Sequence, residues 1–272
     1  MVLLRCVSAG VAVGLLALAG WSAAAVAQPS GAVIAVIQQS QADGQGGKRV
    51  LAVEGPVFSG DKIITGPIGE AQIKFRDNTK LVVGPNSTMT IDAFVFSENG
   101  SAKKFAINVT RGAFRFITGN GPKSAYSINT PAATIGVRGT ELDFIVERLT
   151  TQVVTFGGTS ITCPKIIDPL TGKKPPCIIS RDPCGLSLVE NKDNRYLKPS
   201  QERDIRVNRF FRYIRNQDRL LPEFQVNIKA CGNVQNVPTF ENHGGGSSWV
   251  PPPEPVVEPD DCDYDDWYGY DF

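Results

Sequence analysis

Two acidic residues on one predicted strand are the pair in this sequence that could act as general acid and base. Glu141 and Asp143 are separated by a single residue, which puts both carboxylates on the same face of a strand. Two nearby carboxylates are the machinery of glycosidases, so a glycan-active enzyme is one alternative. Other catalytic signals fail, because His243 is the sole histidine, stands in a Gly-rich stretch, and no Gly-x-Ser-x-Gly elbow is present. We therefore expect no catalytic residues and no cofactor.

The N-terminal segment has the pattern of an export signal. It carries one basic residue, Arg5, then an apolar run from Val7 to Ala19, and it ends in the small residues Ala25-Val26-Ala27. This order is typical of a signal peptide with an A-x-A cleavage site. We predict that residues 1–27 are cleaved and that the protein is periplasmic or secreted. The alternative is a leader that is retained as a membrane anchor, since it is about long enough to span a bilayer.

Export changes the interpretation of the cysteines. Four of them fall within one segment, and an even set in an oxidising compartment is expected to pair, so two disulfides are predicted with their connectivity left open. The spacings are not those of a zinc site, so no metal is expected. Cys262 stands apart in an acidic tail and is either free or paired between chains. The four candidates are Cys163, Cys177, Cys184 and Cys231.

Apolar residues alternate in short runs from Gly31 to about Ile161, and this period predicts strands with one buried face. Turn residues separate the runs at intervals typical of a sandwich, a barrel or a solenoid. The sequence thus predicts an all-β domain over 28–161, either a rolled two-sheet sandwich or a short β-solenoid. The predicted inward positions include Ala71, Ile73, Phe75, Leu81, Val83, Met89, Ile91, Phe105, Ile107, Val109, Phe114 and Phe116, and the predicted outward ones Gln72, Lys74, Asn108 and Arg115.

The stretch from Thr130 to Val146 combines a turn, small residues and a buried-looking strand. Pro131 fixes its φ angle and donates no amide, so the chain is expected to turn there or to run along a sheet edge. Gly139 is expected to supply a bend or a bulge before the strand continues. Arg138 lies between buried-looking neighbours, so its guanidinium is expected to be held by carbonyl groups or a carboxylate. Binding of an anionic ligand is the alternative role.

An ordered set of motifs runs through the predicted β-domain. The motif residues are Gly60, Asp61, Thr65 and Gly66, the run from Ala71 to Leu81, Gly112 with Phe114, and Thr130, Pro131, Arg138, Gly139 and Thr140. This ordered set resembles the FecR domain of bacterial envelope proteins. The resemblance runs over roughly Val53 to Ile161 and implies no catalytic residues. Name-giving members of this family are inner-membrane regulators that respond to a loaded outer-membrane transporter and control a cytoplasmic sigma factor. Other members are exported proteins without an agreed activity.

Two departures from the family pattern limit what the resemblance implies. Only six residues precede the apolar run of the leader, so we expect no cytoplasmic segment that contacts a sigma factor. After Gly158, where the family pattern implies further plain β-structure, this chain carries a cysteine-rich loop instead. The extension over 162–237 is therefore treated as a separate disulfide-containing region.

One amphipathic helix is predicted within that extension. Val207, Phe210, Phe211 and Ile214 have the i, i+3, i+4, i+7 spacing of an apolar helix face, and Pro222 is expected to end the helix. The helix is expected either to cover the β-domain with its arginines in water, or to present a basic face to anionic lipid, a glycan or the acidic tail. The candidate binding residues are Arg206, Arg209, Arg212 and Arg215.

The final segment, residues 238–272, reads as a Gly- and Pro-rich linker followed by a disordered acidic, aromatic tail. The 22 residues from Pro251 onward hold eight acids and no base, which leaves a basic body. The tail is interpreted either as a solubilising segment or as one that docks on a basic face of its own or another chain. Nucleic acid is not an expected partner, because the chain is predicted to be exported and the net charge of residues 28–272 is zero.

These observations favour a non-enzymatic periplasmic or secreted protein that binds or scaffolds. The expected partner is an envelope protein or polysaccharide, with membrane contact only peripheral. A structural or assembly protein of the envelope, a signal-sensing accessory to a transmembrane regulator, and a glycan-active enzyme are the alternatives.

Overall fold

Strands dominate the computed structural model, which describes residues 28–44, 47–97, 101–122, 124–167, 172–190, 193–197, 206–207 and 209–231. The predicted leader, Cys262 and the tail lie outside these residues. The fifteen strands are β1 Gly31–Ile37, β2 Ser40–Gly44, β3 Gly47–Val50, β4 Pro56–Val57, β5 Lys62–Thr65, β6 Glu70–Phe75, β7 Lys80–Val83, β8 Thr88–Phe96, β9 Ala102–Ile117, β10 Tyr126–Asn129, β11 Ala133–Glu147, β12 Thr150–Pro164, β13 Ile178–Ser180, β14 Gly185–Glu190 and β15 Asp193–Leu197.

All fifteen strands belong to one hydrogen-bonded mixed sheet. The main path runs β15-β14-β12-β11-β10-β9-β7-β6-β1-β4, and β2, β3, β5, β8 and β13 branch from it. Pairing is antiparallel except between β9 and β10, which run parallel. The predicted all-β class is confirmed, and where the sequence suggested two sheets or solenoid turns, the chain forms one open sheet whose strands share a core.

The long strand β9 connects two parts of this sheet. The first half of β9 pairs with β8 and β10, while its second half pairs with β7 and β11. The strand changes partners near Gly112, which has a φ of 119° and where a Cβ would lie 2.0 Å from Ser87 Oγ. Only glycine adopts this conformation without strain, so Gly112 sets the bend.

The predicted bulge at Gly139 is confirmed. The register between β11 and β12 shifts between Arg138 and Glu141, and Gly139 has a φ of 61°. On the facing strand, Gly158 has a φ of 76°, and a Cβ there would lie 2.0 Å from the carbonyl oxygen of Gly139. The two backbones therefore touch where both strands bend.

The main core lies on the inner face of the sheet, and every predicted inward position is buried. Its centre is aromatic: Phe105 contacts Phe75, Phe116 and Tyr126, with ring centroids 4.8–5.9 Å apart. Two of the positions that the alternation predicts to face outward, Gln72 and Arg115, are also buried. That expectation was wrong for these two residues because a second layer covers the outer face of their strands.

The second layer is a segment that we call the C-terminal strap, residues 209–231. It contains helix α1, Arg212–Arg215, and two single-turn 3-10 helices, Pro222–Phe224 and Lys229–Cys231. Phe211 and Ile214 pack with Val154 and Leu186 of the sheet, and Phe224 packs with Val82. The strap thus covers apolar residues of strands that lie to the left and to the right of β9 in the sheet order, on one face of the sheet.

The predicted helix is shorter than its pattern suggested. Residues 206, 207, 209 and 210 are helical, and α1 ends at Arg215 rather than at Pro222 because Asn216 is extended. The predicted apolar positions Val207, Phe211 and Ile214 are buried and Phe210 is half-buried. The face that the periodicity identified is therefore the face that packs on the sheet.

Two disulfides lie within the predicted extension, and one of them includes a cysteine of the strap. Cys163 pairs with Cys177 across 14 residues, and Cys184 pairs with Cys231 across 47 residues. The first closes the loop that follows β12, and the second ties the end of the strap to the loop before β14. The pairing that the sequence left open is thereby decided. Among the residues described, no helix is both long and apolar enough to cross a membrane.

Adjacent glycines test the bulge geometry. Gly158→Ala is expected to destabilise the domain by about 2–4 kcal/mol, because it forces a Cβ onto a backbone carbonyl at a positive φ. Gly157→Ala is the matched control, since a Cβ at Gly157 meets no atom within 4 Å, and it should cost less than about 1 kcal/mol. Urea unfolding followed by circular dichroism measures both. Equal losses for the two variants would show that the close approach is not a constraint.

Candidate binding surface

The motif residues Gly60 and Asp61, in the turn before β5, have structural roles within the domain. Asp61 is buried, accepts hydrogen bonds from Arg49 Nη1 (3.0 Å) and the Phe58 amide (2.8 Å), and also pairs with Arg49 Nη2. Gly60 precedes it at a φ of 90°. These contacts fix the turn into β5 and leave Asp61 no carboxylate oxygen directed at solvent.

The end of β5 is fixed in the same way. The Thr65 hydroxyl donates to the Gly84 carbonyl (2.6 Å) and accepts from the Ser87 amide (2.9 Å). A Cβ on Gly66 would lie 2.5 Å from Gln39 Oε1. Thr65 and Gly66 therefore connect neighbouring turns of the backbone.

A buried carboxylate organises the turn after β6. Asp77 Oδ2 accepts hydrogen bonds from the hydroxyls of Thr79 (2.7 Å) and Tyr126 (2.9 Å), and Oδ1 accepts from the Thr79 amide (3.0 Å). Burial, followed by the charge of Asp77, raises the pKa of Tyr126 well above its ordinary value. The tyrosine is thus a neutral donor that joins β10 to this turn.

The central stretch also forms structural contacts. The Thr130 hydroxyl accepts from the Ala133 amide (2.9 Å), which closes the turn in which Pro131 is exposed. The Thr140 hydroxyl donates to the Thr159 carbonyl (2.8 Å) and accepts from the Arg138 amide (3.0 Å), so it holds the bulge.

Arg138 itself corrects an expectation. It is exposed, and its guanidinium makes no hydrogen bond or ion pair within the described part of the chain. The bulge at Gly139 interrupts the alternation that made the position look buried. The side chain therefore points away from the interior and is not one of the structural contacts.

The two candidate carboxylates have different environments. Asp143 is buried and forms a two-pronged ion pair with Arg115, with Nε to Oδ1 at 2.7 Å and Nη2 to Oδ2 at 2.9 Å. Burial raises the pKa of Asp143, and the Arg115 guanidinium opposes that shift. Glu141 is half-exposed beside the register shift. A carboxylate whose two oxygens both bind a buried guanidinium is a poor acid, base or nucleophile.

Arg115 joins the sheet to the strap. Besides Asp143, its nitrogens donate to Gln217 Oε1 and to the carbonyls of Tyr213 (3.3 Å) and Phe224 (3.4 Å). The guanidinium also lies 5.3 Å from the ring centre of Phe156. Every part of this fully buried cation is in contact with an acceptor or a ring.

Further polar contacts connect the strap to β6. The Gln72 side chain donates to the Arg219 carbonyl (3.0 Å) and accepts from the Leu221 amide (2.9 Å). Lys74 pairs with Glu223 at 2.7 Å. The Tyr213 hydroxyl donates to Glu70 (3.0 Å), and burial, then the Glu70 charge, raise the pKa of Tyr213 well above its ordinary value. Gln72 and Lys74 fall within the motif run from Ala71 to Leu81, but neither their positions nor those of Glu70, Tyr213 and Glu223 indicated these contacts.

The four helix arginines lie at the surface of the strap or just before it. Arg209 and Arg215 are exposed, and Arg206 and Arg212 are half-exposed. The Arg209 guanidinium lies 5.2 Å from the ring centre of Phe210, and that of Arg212 lies 5.5 Å from the ring centre of Tyr213. The prediction that the helix covers the β-domain is confirmed by the burial of its apolar face.

A groove that sequence reasoning missed lies at the end of the sheet. Its volume is about 370 Å³, and we call it the Arg111–Arg148 groove after the two arginines that line it. Arg148 lies in the two-residue turn between β11 and β12. This hairpin turn could have been predicted from the sequence, but a turn does not indicate that a groove lies beside it. The remaining lining residues are Pro85, Asn86, Gly112, Ala113, Ile145, Val146, Glu147 and Phe210.

Part of the chain matches the model of a known protein family. Residues 61–159 match the family model described as FecR protein. The chain contains a FecR domain. The matched residues lie inside the predicted 28–161 domain and include the bulge at Gly139, while the strap lies beyond them. A search among curated proteins finds no match.

Two solved structures are similar to part of this chain. Each is a candidate anti-sigma factor from Parabacteroides distasonis. One has 15% identity and a TM-score of 0.37 over 51% of this chain and 59% of its own, and the other 13% and 0.40 over 57% and 64%. This chain therefore spans about three fifths of their length.

Breaking the buried ion pair tests its role between FecR domain and strap. Arg115→Met is expected to cost about 3–5 kcal/mol of unfolding free energy, because Asp143 is left buried without its partner. The double variant Arg115→Met with Asp143→Leu should cost less than the single one. Arg138→Met, at an exposed arginine, should change stability by less than about 0.5 kcal/mol. Chemical denaturation measures all three, and a neutral Arg115→Met would contradict the proposed role.

Alkaline unfolding tests the two buried tyrosines. Because Tyr126 and Tyr213 hold their protons in the native state and release them when unfolded, stability is retained below pH 10 or so and falls above it. The slope is at most about 1.4 kcal/mol per pH unit for each tyrosine. Tyr126→Phe should make this slope shallower between pH 10 and 11. Urea titrations in a Cys262→Ser background avoid thiol exchange, and an unchanged slope would refute the assignment.

Proposed function

We propose that this chain is a non-enzymatic binding protein of the cell envelope that serves as a signal-sensing accessory through its FecR domain. The observation that carries the proposal is the match of residues 61–159 to the FecR family model. Regulators of this family respond to the state of an envelope transporter, so recognition of another envelope component is the activity that the family supports.

The use of the polar motif residues supports binding rather than catalysis. The carboxylates of Asp61, Asp77 and Asp143 are each buried and hydrogen-bonded within the domain. A general acid or base must reach a substrate proton, and none of these three does so. A rigid platform that presents surface side chains is the role such a domain can perform.

The disulfides support an extracytoplasmic location. Two are present in the described part of the chain, and structural disulfides persist in oxidising compartments such as the periplasm. We propose that the protein is periplasmic or secreted, with residues 1–27 acting as its export signal.

Partner capture from native envelope tests the proposal. Residues 28–272, immobilised and crosslinked in envelope extract, are expected to retain a specific envelope protein or polysaccharide. Exchanging the exposed strap arginines, Arg209→Gln with Arg215→Gln, should weaken retention if the strap is part of the contact. The matched control is Lys103→Gln with Lys104→Gln, at two exposed residues of β9.

Three outcomes would contradict the proposal. Retention of nothing but further copies of the chain would favour an assembly protein instead. Retention of no component at all would remove the binding function. Release of new reducing ends from envelope polysaccharide would show a glycan-active enzyme.

A further inference from the structure

The Arg111–Arg148 groove carries two cations that the fold does not use. Arg111 precedes the bend of β9, and Arg148 lies in the turn between β11 and β12, so the two side chains come from different parts of the sheet to one groove. Both are exposed, and neither forms a hydrogen bond or ion pair with any described residue. By contrast, Arg49 and Arg115 each bind a carboxylate.

The floor of the groove is apolar. Ala113, Ile145 and the half-buried ring of Phe210 line it and belong to one apolar cluster. Leu149, directly after Arg148, exposes 53% of its surface. A ligand that fits this surface has an apolar or aromatic side chain next to an anion.

Several residues of the groove lining have positive backbone φ angles. Gly112 has a φ of 119° with Ser87 packed against it, and Arg148 has a φ of 46°, which a residue with a long side chain rarely adopts. The surrounding strands must hold Arg148 in this conformation. A site that is already formed loses little entropy when it binds.

We propose that the Arg111–Arg148 groove binds an acidic, aromatic peptide segment of a protein partner. Guanidinium groups bind carboxylates through paired charged hydrogen bonds, and the apolar floor accepts the side chain between two acids. The groove is open and its volume of about 370 Å³ accommodates a few side chains rather than a whole domain. The inference rests on the proposed binding function and names the surface and the chemistry of its partner.

Glu147 gives the proposal a specific electrostatic signature. It is the acid in the groove lining and is exposed. A carboxylate ligand is repelled by Glu147 while both arginines attract it, so Glu147→Gln should strengthen binding. A neutral ligand would not respond in this way.

Titration by nuclear magnetic resonance tests the inference on residues 28–272. The probe is the blocked tripeptide acetyl-Asp-Phe-Asp-amide. Saturable shifts are expected at the amides of Ala113 and Val146, with a dissociation constant on the order of 1 mM or below. The affinity should fall as salt is raised to 0.5 M, because exposed charges are screened.

Paired variants locate the site. Arg111→Gln with Arg148→Gln should weaken the peptide by about tenfold or more, and Glu147→Gln should tighten it by about twofold to fivefold. Arg138→Gln with Arg219→Gln, two exposed arginines outside the groove lining, should bind like the wild type.

Several results would overturn the inference. These are the absence of saturable shifts at Ala113 and Val146, wild-type affinity in the Arg111→Gln and Arg148→Gln variant, or tighter binding at the same amides by a neutral N-acetylglucosamine tetramer. If envelope capture succeeds while the peptide fails, this inference is wrong and the proposed function stands. If capture fails while the peptide binds, the groove remains a peptide site and the proposed function is wrong.

Discussion

The Arg115–Asp143 ion pair is the interaction on which the two layers of this protein depend. A guanidinium on the outer face of a sheet would normally remain in water, and burying it is costly unless its donors and charge are satisfied. Here Asp143 neutralises the charge, and the remaining donors bind backbone and side-chain acceptors from the strap. Removal of the strap would leave Arg115 with acceptors on one side only. The pair therefore specifies where the strap lies as well as stabilising it.

The polar residues of the family motifs also make structural contacts. Asp61, Thr65, Thr130 and Thr140 each satisfy backbone groups at a turn or a bulge. Positive backbone angles at Gly60 and at other glycines of the domain make those turns possible. Apart from the exposed Arg138, the polar residues that identify the domain are thus those that shape it. Arg111, Arg138 and Arg148 are exposed and make no such contact with the described residues.

Sequence patterns predicted the structural features that depend on residues close together in the chain. Alternation located the inward face of the strands, the amphipathic spacing located the buried face of α1, and Gly139 was correctly identified as a bulge. Tertiary context decided the rest. Arg115 has the same sequence pattern as a solvent-facing residue, and its strap partner Gln217 lies 102 residues further along the chain. The groove brings β9, the β11–β12 turn and Phe210 together, and no spacing in the sequence marks that meeting.

Hydrogen exchange of the strap amides is the measurement that tests this account most directly. The strap and the sheet are expected to unfold together, because buried polar contacts and the Cys184–Cys231 disulfide connect them. The amides of Phe211, Leu220 and Phe224, all of which are hydrogen-bonded, should then exchange as slowly as those of β9 and β11. Exchange within seconds at these amides, with the sheet still protected, would show that the strap opens on its own and would contradict the account.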